Sequence, residues 1–373
     1  MVAQFVKLLF VFAMILLTVS SRLDDPLRQK ALNKVEPIPA TLPDLPNLKD
    51  NPLTPAKVEL GKLLFFDPRL SASWTISCNS CHNLGLGGVD HLETSIGHGW
   101  QKGGRNSPTV FNAVFNFAQF WDGRAKTLRE QAKAPVQSAI EMNNTPAKVV
   151  QTLKSMPGYV ERFTAAFPNE ADPVTFDNLA KAIEAFEATL TTPNSRFDLF
   201  LKGSDEAINE QEKRGLALFL AKDCVSCHKG VNLGGASFHK FGAARKPSPE
   251  IMPPSDKGLI AITGQAIDEY VFRAPTLRNV ELTAPYFHSG KIWDLKQAVA
   301  TMASVQLDAK LKDREIEDLT AFLKTLTGQI PKLDHPIFPM ATSETPLPDT
   351  RVVPANEKRV SLNTSRLRTK ARS

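Results

Sequence analysis

Apolar residues along this chain recur mostly with a helical period. Phe176, Leu179, Ile183, Phe186 and Leu190 form one stripe at alternating spacings of three and four. Asp172-Pro173 before it reads as a cap followed by a first-turn proline. Ile316, Leu319, Phe322, Leu323 and Leu326 form a second stripe, with Asp313 before it and Gly328 after it. Two shorter segments, Gly61-Lys-Leu-Leu-Phe65 and Gly215-Leu-Ala-Leu-Phe219, resemble each other and read as amphipathic helices. Strand alternation is scarce. Both stripes are read as core-packing faces.

The segments between the helices are informative in their own way. Residues 83–123 and 229–290 are long and irregular, the first rich in Gly and Asn, and long irregular stretches inside compact domains are usually functional. Pro37 to Pro55 is a proline-rich lead-in. Pro331 to Pro354 reads as an extended tail leaving the fold. At the N-terminus, Lys7 precedes an apolar run from Leu8 to Val19, closed by Ser20 and Ser21. That run is short for a bilayer span and fits a signal peptide over residues 1–21, so the body is expected to be exported and periplasmic. Membrane contact would arise only if that segment stayed uncleaved.

With 42% hydrophobic and 23% charged residues, the 373-residue chain is not disordered, collagenous or polytopic. Its formal net charge of +6 sits entirely in residues 351–373, where seven Lys/Arg face one acid, Glu357. A charge confined to a Ser/Thr-containing end is a solvated tail, and no nucleic-acid partner is expected.

The four cysteines are Cys78, Cys81, Cys224 and Cys227, and each pair runs directly into histidine: Cys78-Asn-Ser-Cys-His82 and Cys224-Val-Ser-Cys-His228. C-x-x-C-H is the attachment pattern of a covalent c-type haem. Two thiols two residues apart can form thioethers to one macrocycle, and the following imidazole then lies under the iron. A four-cysteine zinc site, a dithiol redox motif and plain disulfides are the competing readings, but none needs a histidine after both pairs. The helical segment Gly61–Phe65 precedes the first motif and Gly215–Phe219 the second, with about eight extra residues, Asp67 to Trp74, in the first copy. The chain is therefore read as mainly α, with two cytochrome c-like haem domains and long irregular loops. The expected limits are 22–191 and 192–330, with 331–373 as a disordered basic tail. For the other face of each iron, His91 and His98 are candidates at the first haem, and Met302, His288 and Met252 at the second. His98, between Gly97 and Gly99, sits on backbone expected to be mobile.

Longer strings carry a resemblance. Gly61-Lys-Leu-Leu-Phe-Phe-Asp-Pro-Arg69, Thr94-Ser-Ile-Gly-His-Gly-Trp100, Asn106-Ser-Pro-Thr-Val-Phe-Asn112, Gln119-Phe-Trp-Asp-Gly-Arg124, Phe272-Arg-Ala-Pro-Thr-Leu-Arg-Asn279 and Ala284-Pro-Tyr-Phe-His-Ser-Gly290 resemble the bacterial dihaem cytochrome c peroxidases, continuously from about Leu60 to Gly328. The resemblance implies a set of roles. His98 would be the displaceable sixth ligand of the first, peroxidatic haem, and Met302 the sixth ligand of the second, electron-accepting haem. Trp121 would lie between the haems, and Gln131 and Glu141 would flank bound peroxide. Asn106 with Thr283 and Pro285 would hold calcium between the domains, and His288 would lie near the haem propionates. It further implies hydrogen peroxide as substrate, a small cytochrome c or cupredoxin as electron donor, and a homodimer.

The physics is compatible with those roles. A Met/His iron has a higher potential than a bis-His iron, so two unequal haems can store two electrons in order. A carboxylate such as Glu141 can move a proton between the oxygens of peroxide. The competing functions are a non-catalytic dihaem electron carrier and an oxidase like those that mature methylamine dehydrogenase. Methionine at position 302, where the maturation enzymes carry tyrosine, favours the peroxidase.

Overall fold

The computed structural model describes residues 25–351, apart from 44, 46 and 47. The signal segment and residues 352–373 lie outside the described residues. Within them the chain forms twelve α-helices, a set of single 3-10 turns and one two-stranded ribbon. The helices are α1 (Pro26–Leu32), α2 (Pro55–Phe66), α3 (Cys78–Cys81), α4 (Leu128–Gln137), α5 (Pro146–Lys154), α6 (Pro157–Ala166), α7 (Phe176–Ala188), α8 (Arg196–Leu201), α9 (Glu210–Ala221), α10 (Ile260–Thr263), α11 (Leu295–Leu307) and α12 (Asp313–Lys324). Strand β1 (Phe238–Lys240) pairs antiparallel with β2 (Val271–Arg273), His239 opposite Phe272.

Threonine hydroxyls start four of these helices. Thr54, Thr127, Thr145 and Thr175 each accept from the backbone amide three residues on, which satisfies one orphan donor of the first turn. The cap of α7 is thus Thr175, not Asp172. Pro173 lies outside the helix, where its carbonyl accepts from the Thr175 amide. Gly328 likewise does not cap α12, which closes at Thr325. It is glycine because a Cβ there would collide with the Thr192 carbonyl.

Two cores share one plan. In the first, α2 crosses α7: Gly61 lies so close to the Ala182 carbonyl that no side chain fits, and Phe65 meets Phe186 edge-on at 5.4 Å. In the second, α9 crosses α12: Gly215 lies as close to the Asp318 carbonyl, and Phe219 meets Phe322 at 5.3 Å. The glycine-to-carbonyl contact and the aromatic pair recur at equivalent places, as expected of a repeated domain. The crossover falls between Leu190, in the first core, and Phe197, in the second.

Both ends of the described chain depart from the expected limits. Ala31 and Val35 belong to the second core, Gly230 donates to the Lys34 carbonyl, and Arg278 donates to the Glu36 carbonyl. Residues 26–38 therefore pack on the C-terminal domain, not on the domain that follows them. Conversely, residues 331–351, expected to leave as a disordered tail, lie as an extended strap along the N-terminal domain. Leu333 and Phe338 pack on the first core, and Arg69 donates to the Pro339 carbonyl at 2.8 Å. Proline density selected the extended backbone correctly, but apolar contacts and hydrogen bonds hold that backbone down.

The domains meet along loops. The Nδ1 of His91 lies 2.7 Å from the Ala284 carbonyl, and Lys291 pairs with Glu93 at 2.5 Å. Arg105 forks onto Asp256 through Nε and Nη2, both at 2.7 Å, and reaches Asp122 at 2.6 Å. Asn112 and Asn279, one from each domain, both bind the Thr192 hydroxyl in the connection between them.

Candidate active site

Each Cys-x-x-Cys-His motif follows the helix of its own core. The first is the single turn α3, entered from Ser77, and its histidine closes on the Cys78 carbonyl. The second is a 3-10 turn, Cys224–Ser226, and His228 closes on the Cys224 carbonyl in the same way. None of the four cysteines is paired in a disulfide, which removes that reading. The Nδ1 of His82 sits 3.0 Å from the Pro108 carbonyl, and that of His228 sits 3.2 Å from the Leu233 carbonyl. A ring fixed through Nδ1–H presents an unprotonated Nε2, the form a metal requires. Burial holds both imidazoles below their usual range, His228 at about 4, which also favours the neutral ring. Among the described residues no three His, Cys, Asp or Glu side chains gather as a metal site, which removes the four-cysteine zinc reading. The donors fit two separate covalent haems.

The first motif has an additional group beside it. His98 is almost fully buried, its amide donates to the Glu141 carbonyl at 2.7 Å, and Gln101 donates to both the His98 and Ala139 carbonyls. Gly97 was expected to loosen this loop. Instead it packs against the Ile140 carbonyl, where any side chain would collide, while Gly99 supplies a left-handed turn at φ 63°. The His98 loop and the Glu141 segment are therefore stitched together. Burial raises the Glu141 carboxyl above the usual carboxylate range, against the opposing pull of Arg124 and a hydrogen bond to Ser138. Gln131 stands half-buried on α4, and the 138–144 turn folds back onto the end of that helix through Met142 to Pro135 and Asn144 to Val136. The His98 ring is held from elsewhere: its Nε2 lies 3.0 Å from the Arg351 carbonyl in the strap.

The seam between domains gathers most of the remaining candidates. Trp121 is buried and its indole donates to the Asn106 carbonyl at 2.8 Å. The Asn106 amide donates to the His288 carbonyl at 2.9 Å, so these three residues form one chain of contacts. His288 stacks on Phe272 at 4.3 Å and meets Trp121 edge-on at 6.2 Å. Thr283 and Pro285 flank Ala284, the residue held by His91, and so lie in the same seam. Met302 is half-buried on α11, and Met252 is buried in the loop before α10.

Three features were not given a role from the sequence. Arg273 is buried, bonds only main-chain oxygen through Nε to Phe120, and has an unpartnered Nη1. Burial holds this guanidinium down at about 10. The Nε2 of His288 is also buried and unpartnered. A buried guanidinium nitrogen of Arg273 without a partner suits an acidic group such as a haem propionate. Arg273 lay inside the Phe272–Asn279 string, but only the tertiary fold shows that it lacks an acid. Glu187 is a buried carboxyl near Cys78, pushed up to about 8 by burial and by its neighbour Glu184. It falls between stripe positions, with no local signal. The grip of Arg351 on His98 spans 253 residues and has no signal at all in sequence.

Two like-built c-type domains, with buried His98 and half-buried Glu141 beside the first motif, define a dihaem cytochrome with one differentiated site. Residues 55–206 match the family model described as di-haem cytochrome c peroxidase, and residues 212–327 match the cytochrome c model. The cytochrome c551 peroxidase of Pseudomonas aeruginosa is 54% identical over 87% of this chain and 93% of its own length. The cytochrome c551 peroxidase of Nitrosomonas europaea is 47% identical over 84% and 89%. The methylamine utilization protein MauG of Methylorubrum extorquens is 36% identical over 79% and 85%. Among solved structures, a MauG-like protein associated with microbial copper homeostasis superposes with a TM-score of 0.70 at 31% identity, over 78% of this chain and 94% of its own. The chain belongs to the di-haem cytochrome c peroxidase family.

Proposed function

We propose that this chain reduces hydrogen peroxide to water at the first haem, with electrons arriving through the second from a small cytochrome c or cupredoxin. The observation that carries this reading is the asymmetry of the two sites: beside the first motif a buried histidine, His98, and a half-buried acid, Glu141, sit on segments joined by a main-chain hydrogen bond. The haems, when bound, supply the iron that binds peroxide and the electrons that cleave it. The chain's own residues do the rest. Cys78 and Cys81 hold one macrocycle, and Cys224 and Cys227 the other. His82 and His228 present Nε2 to the irons, each steadied by a main-chain carbonyl.

His98 would hold the first iron as a displaceable ligand, and Met302 would hold the second. Glu141, as carboxylate, accepts a proton from one peroxide oxygen and returns it to the other, and Gln131 orients the bound molecule. Trp121 would lie on the path between the haems, Arg273 would offset propionate charge, and His288, held neutral by burial, would offer a hydrogen bond. Calcium at Asn106 and the Thr283 and Pro285 carbonyls would brace the seam. The exported location and a homodimer complete the reading. Among the described residues no helix is long and apolar enough to cross a membrane.

Two alternatives lead elsewhere. A pure electron carrier needs neither a displaceable histidine nor an acid beside it, and a maturation-type oxidase is disfavoured by Met302. Mixing haem-loaded protein with a reduced small cytochrome c and hydrogen peroxide separates them. The peroxidase should oxidise two cytochromes per peroxide over many turnovers, whereas a carrier would take at most two electrons per chain whether or not peroxide is present.

A further inference from the structure

The Asp67–Trp74 insertion, present in the first repeat and missing from the second, forms the seat of the strap. Asp67 is fully buried, takes Arg69 through both oxygens and also accepts the Tyr159 hydroxyl at 2.6 Å. The guanidinium so fixed donates to the Pro339 carbonyl at 2.8 Å. Further along, Ser155 donates to the Thr345 hydroxyl at 2.8 Å, and Thr342 donates to the Ser155 carbonyl at 2.9 Å. The Asp349 amide then donates to the Ala72 carbonyl at 2.7 Å, and the Ala72 amide donates to Met142, next to Glu141. Asp349 also binds the Arg351 amide and guanidinium, which sets the direction of the Arg351 carbonyl. That carbonyl faces His98 Nε2 at 3.0 Å.

We propose that residues 331–351 form a latch that keeps His98 off the first iron, so that docking of the strap sets how open the peroxide site is. The proposal rests on the reading of His98 as that iron's displaceable ligand. A neutral imidazole carries one proton. With Nε2–H given to Arg351, Nδ1 is bare, in keeping with its being buried and without a hydrogen-bond donor. Binding iron through Nε2 would need that atom free of both proton and carbonyl. The strap-bound position of His98 and an iron-bound position through Nε2 are therefore mutually exclusive, and whatever stabilises one depopulates the other. The apolar residues Leu333 and Phe338 and the Thr342–Ser155–Thr345 cluster hold the strap independently of His98, so it can bias the ring without being part of the haem site.

The test uses three forms of the haem-loaded protein: the full chain, a chain ending at Ala355, which keeps Arg351 in amide linkage, and a chain ending at Pro336. Spin state of the fully oxidised first haem, read by electron paramagnetic resonance and absorption, reports whether the sixth position is open. The full chain and the 355-residue chain should match, because both keep the latch. The chain ending at Pro336 should show a high-spin to low-spin ratio lower by about three- to tenfold, the range expected from losing a hydrogen bond and its supports. A double variant of the full chain, Thr345→Val with Asp349→Ala, should move the ratio the same way if the truncated chain fails to fold. Unchanged spin state in both altered forms, or a shift towards high spin, would overturn the latch. Adding His98→Gly to either altered form should restore the open state. If it does not, a ligand other than His98 closes the site, and the reading beneath the proposal fails instead.

Discussion

At the residue scale, the site divides into chemistry fixed by adjacency and chemistry fixed by folding. Cys78, Cys81 and His82 declare themselves because the thioethers and the axial imidazole must come from one short run, and Cys224, Cys227 and His228 repeat it. Glu141 could not be told from a surface glutamate by sequence without the family strings; its raised carboxyl comes from burial, a tertiary effect. The sign of that shift has a kinetic consequence. Proton abstraction needs the carboxylate, and burial favours the neutral acid, so kcat/KM should fall as pH drops through a value above the ordinary glutamate range. That acid limb should be missing from the residual activity of Glu141→Gln. Met302 gives a second outcome: thioether sulfur favours the ferrous iron, so Met302→His should lower the potential of the second haem in a redox titration and slow turnover. An unmoved potential would give the ligand role to Met252.

Elements were legible where a stripe runs long and poorly legible at their ends. The α7 and α12 stripes emerged as buried faces, whereas the caps did not follow the nearest Asp-Pro or Gly, because Thr175 and Thr325 sit where the backbone turns. The repeated preludes were visible as similar strings, but the reason for their glycines was not. Gly61 and Gly215 are there because a helix on the other side of each core brings a carbonyl against them. Gly61→Ala and Gly215→Ala should each cost about 1–3 kcal/mol of stability, at the upper end because the obstacle is backbone. In thermal melts followed at each haem, Gly61→Ala should loosen the first site before the second, and Gly215→Ala the reverse. Equal loosening of both sites by either change would mean that the cores do not behave as separate units.

On the scale of the whole molecule, the two-domain plan was readable from the paired motifs, and the crossing of the chain ends was not. Residues 26–38 serve the far domain, and residues 331–351 return to the near one, so each core borrows a segment from the opposite end of the sequence. Proline content and charge describe such segments as extended and polar, but whether an extended segment docks depends on what it lies against, here Arg69, Ser155 and Ala72. The seam between the cores, with Arg105 forked across to Asp256 and Trp121 tied to Asn106, gives two unequal haems a fixed relation. On this account the molecule delivers two electrons and a relayed proton to one peroxide. Rapid mixing of the fully reduced, haem-loaded protein with one equivalent of hydrogen peroxide tests that most directly. Both haems should lose one electron each in the wild-type chain, and Glu141→Gln should slow that oxidation by about 10²–10⁴-fold with both haems still attached. Oxidation of Glu141→Gln within a few-fold of wild type, or haems that stay reduced in the wild-type chain, would contradict it.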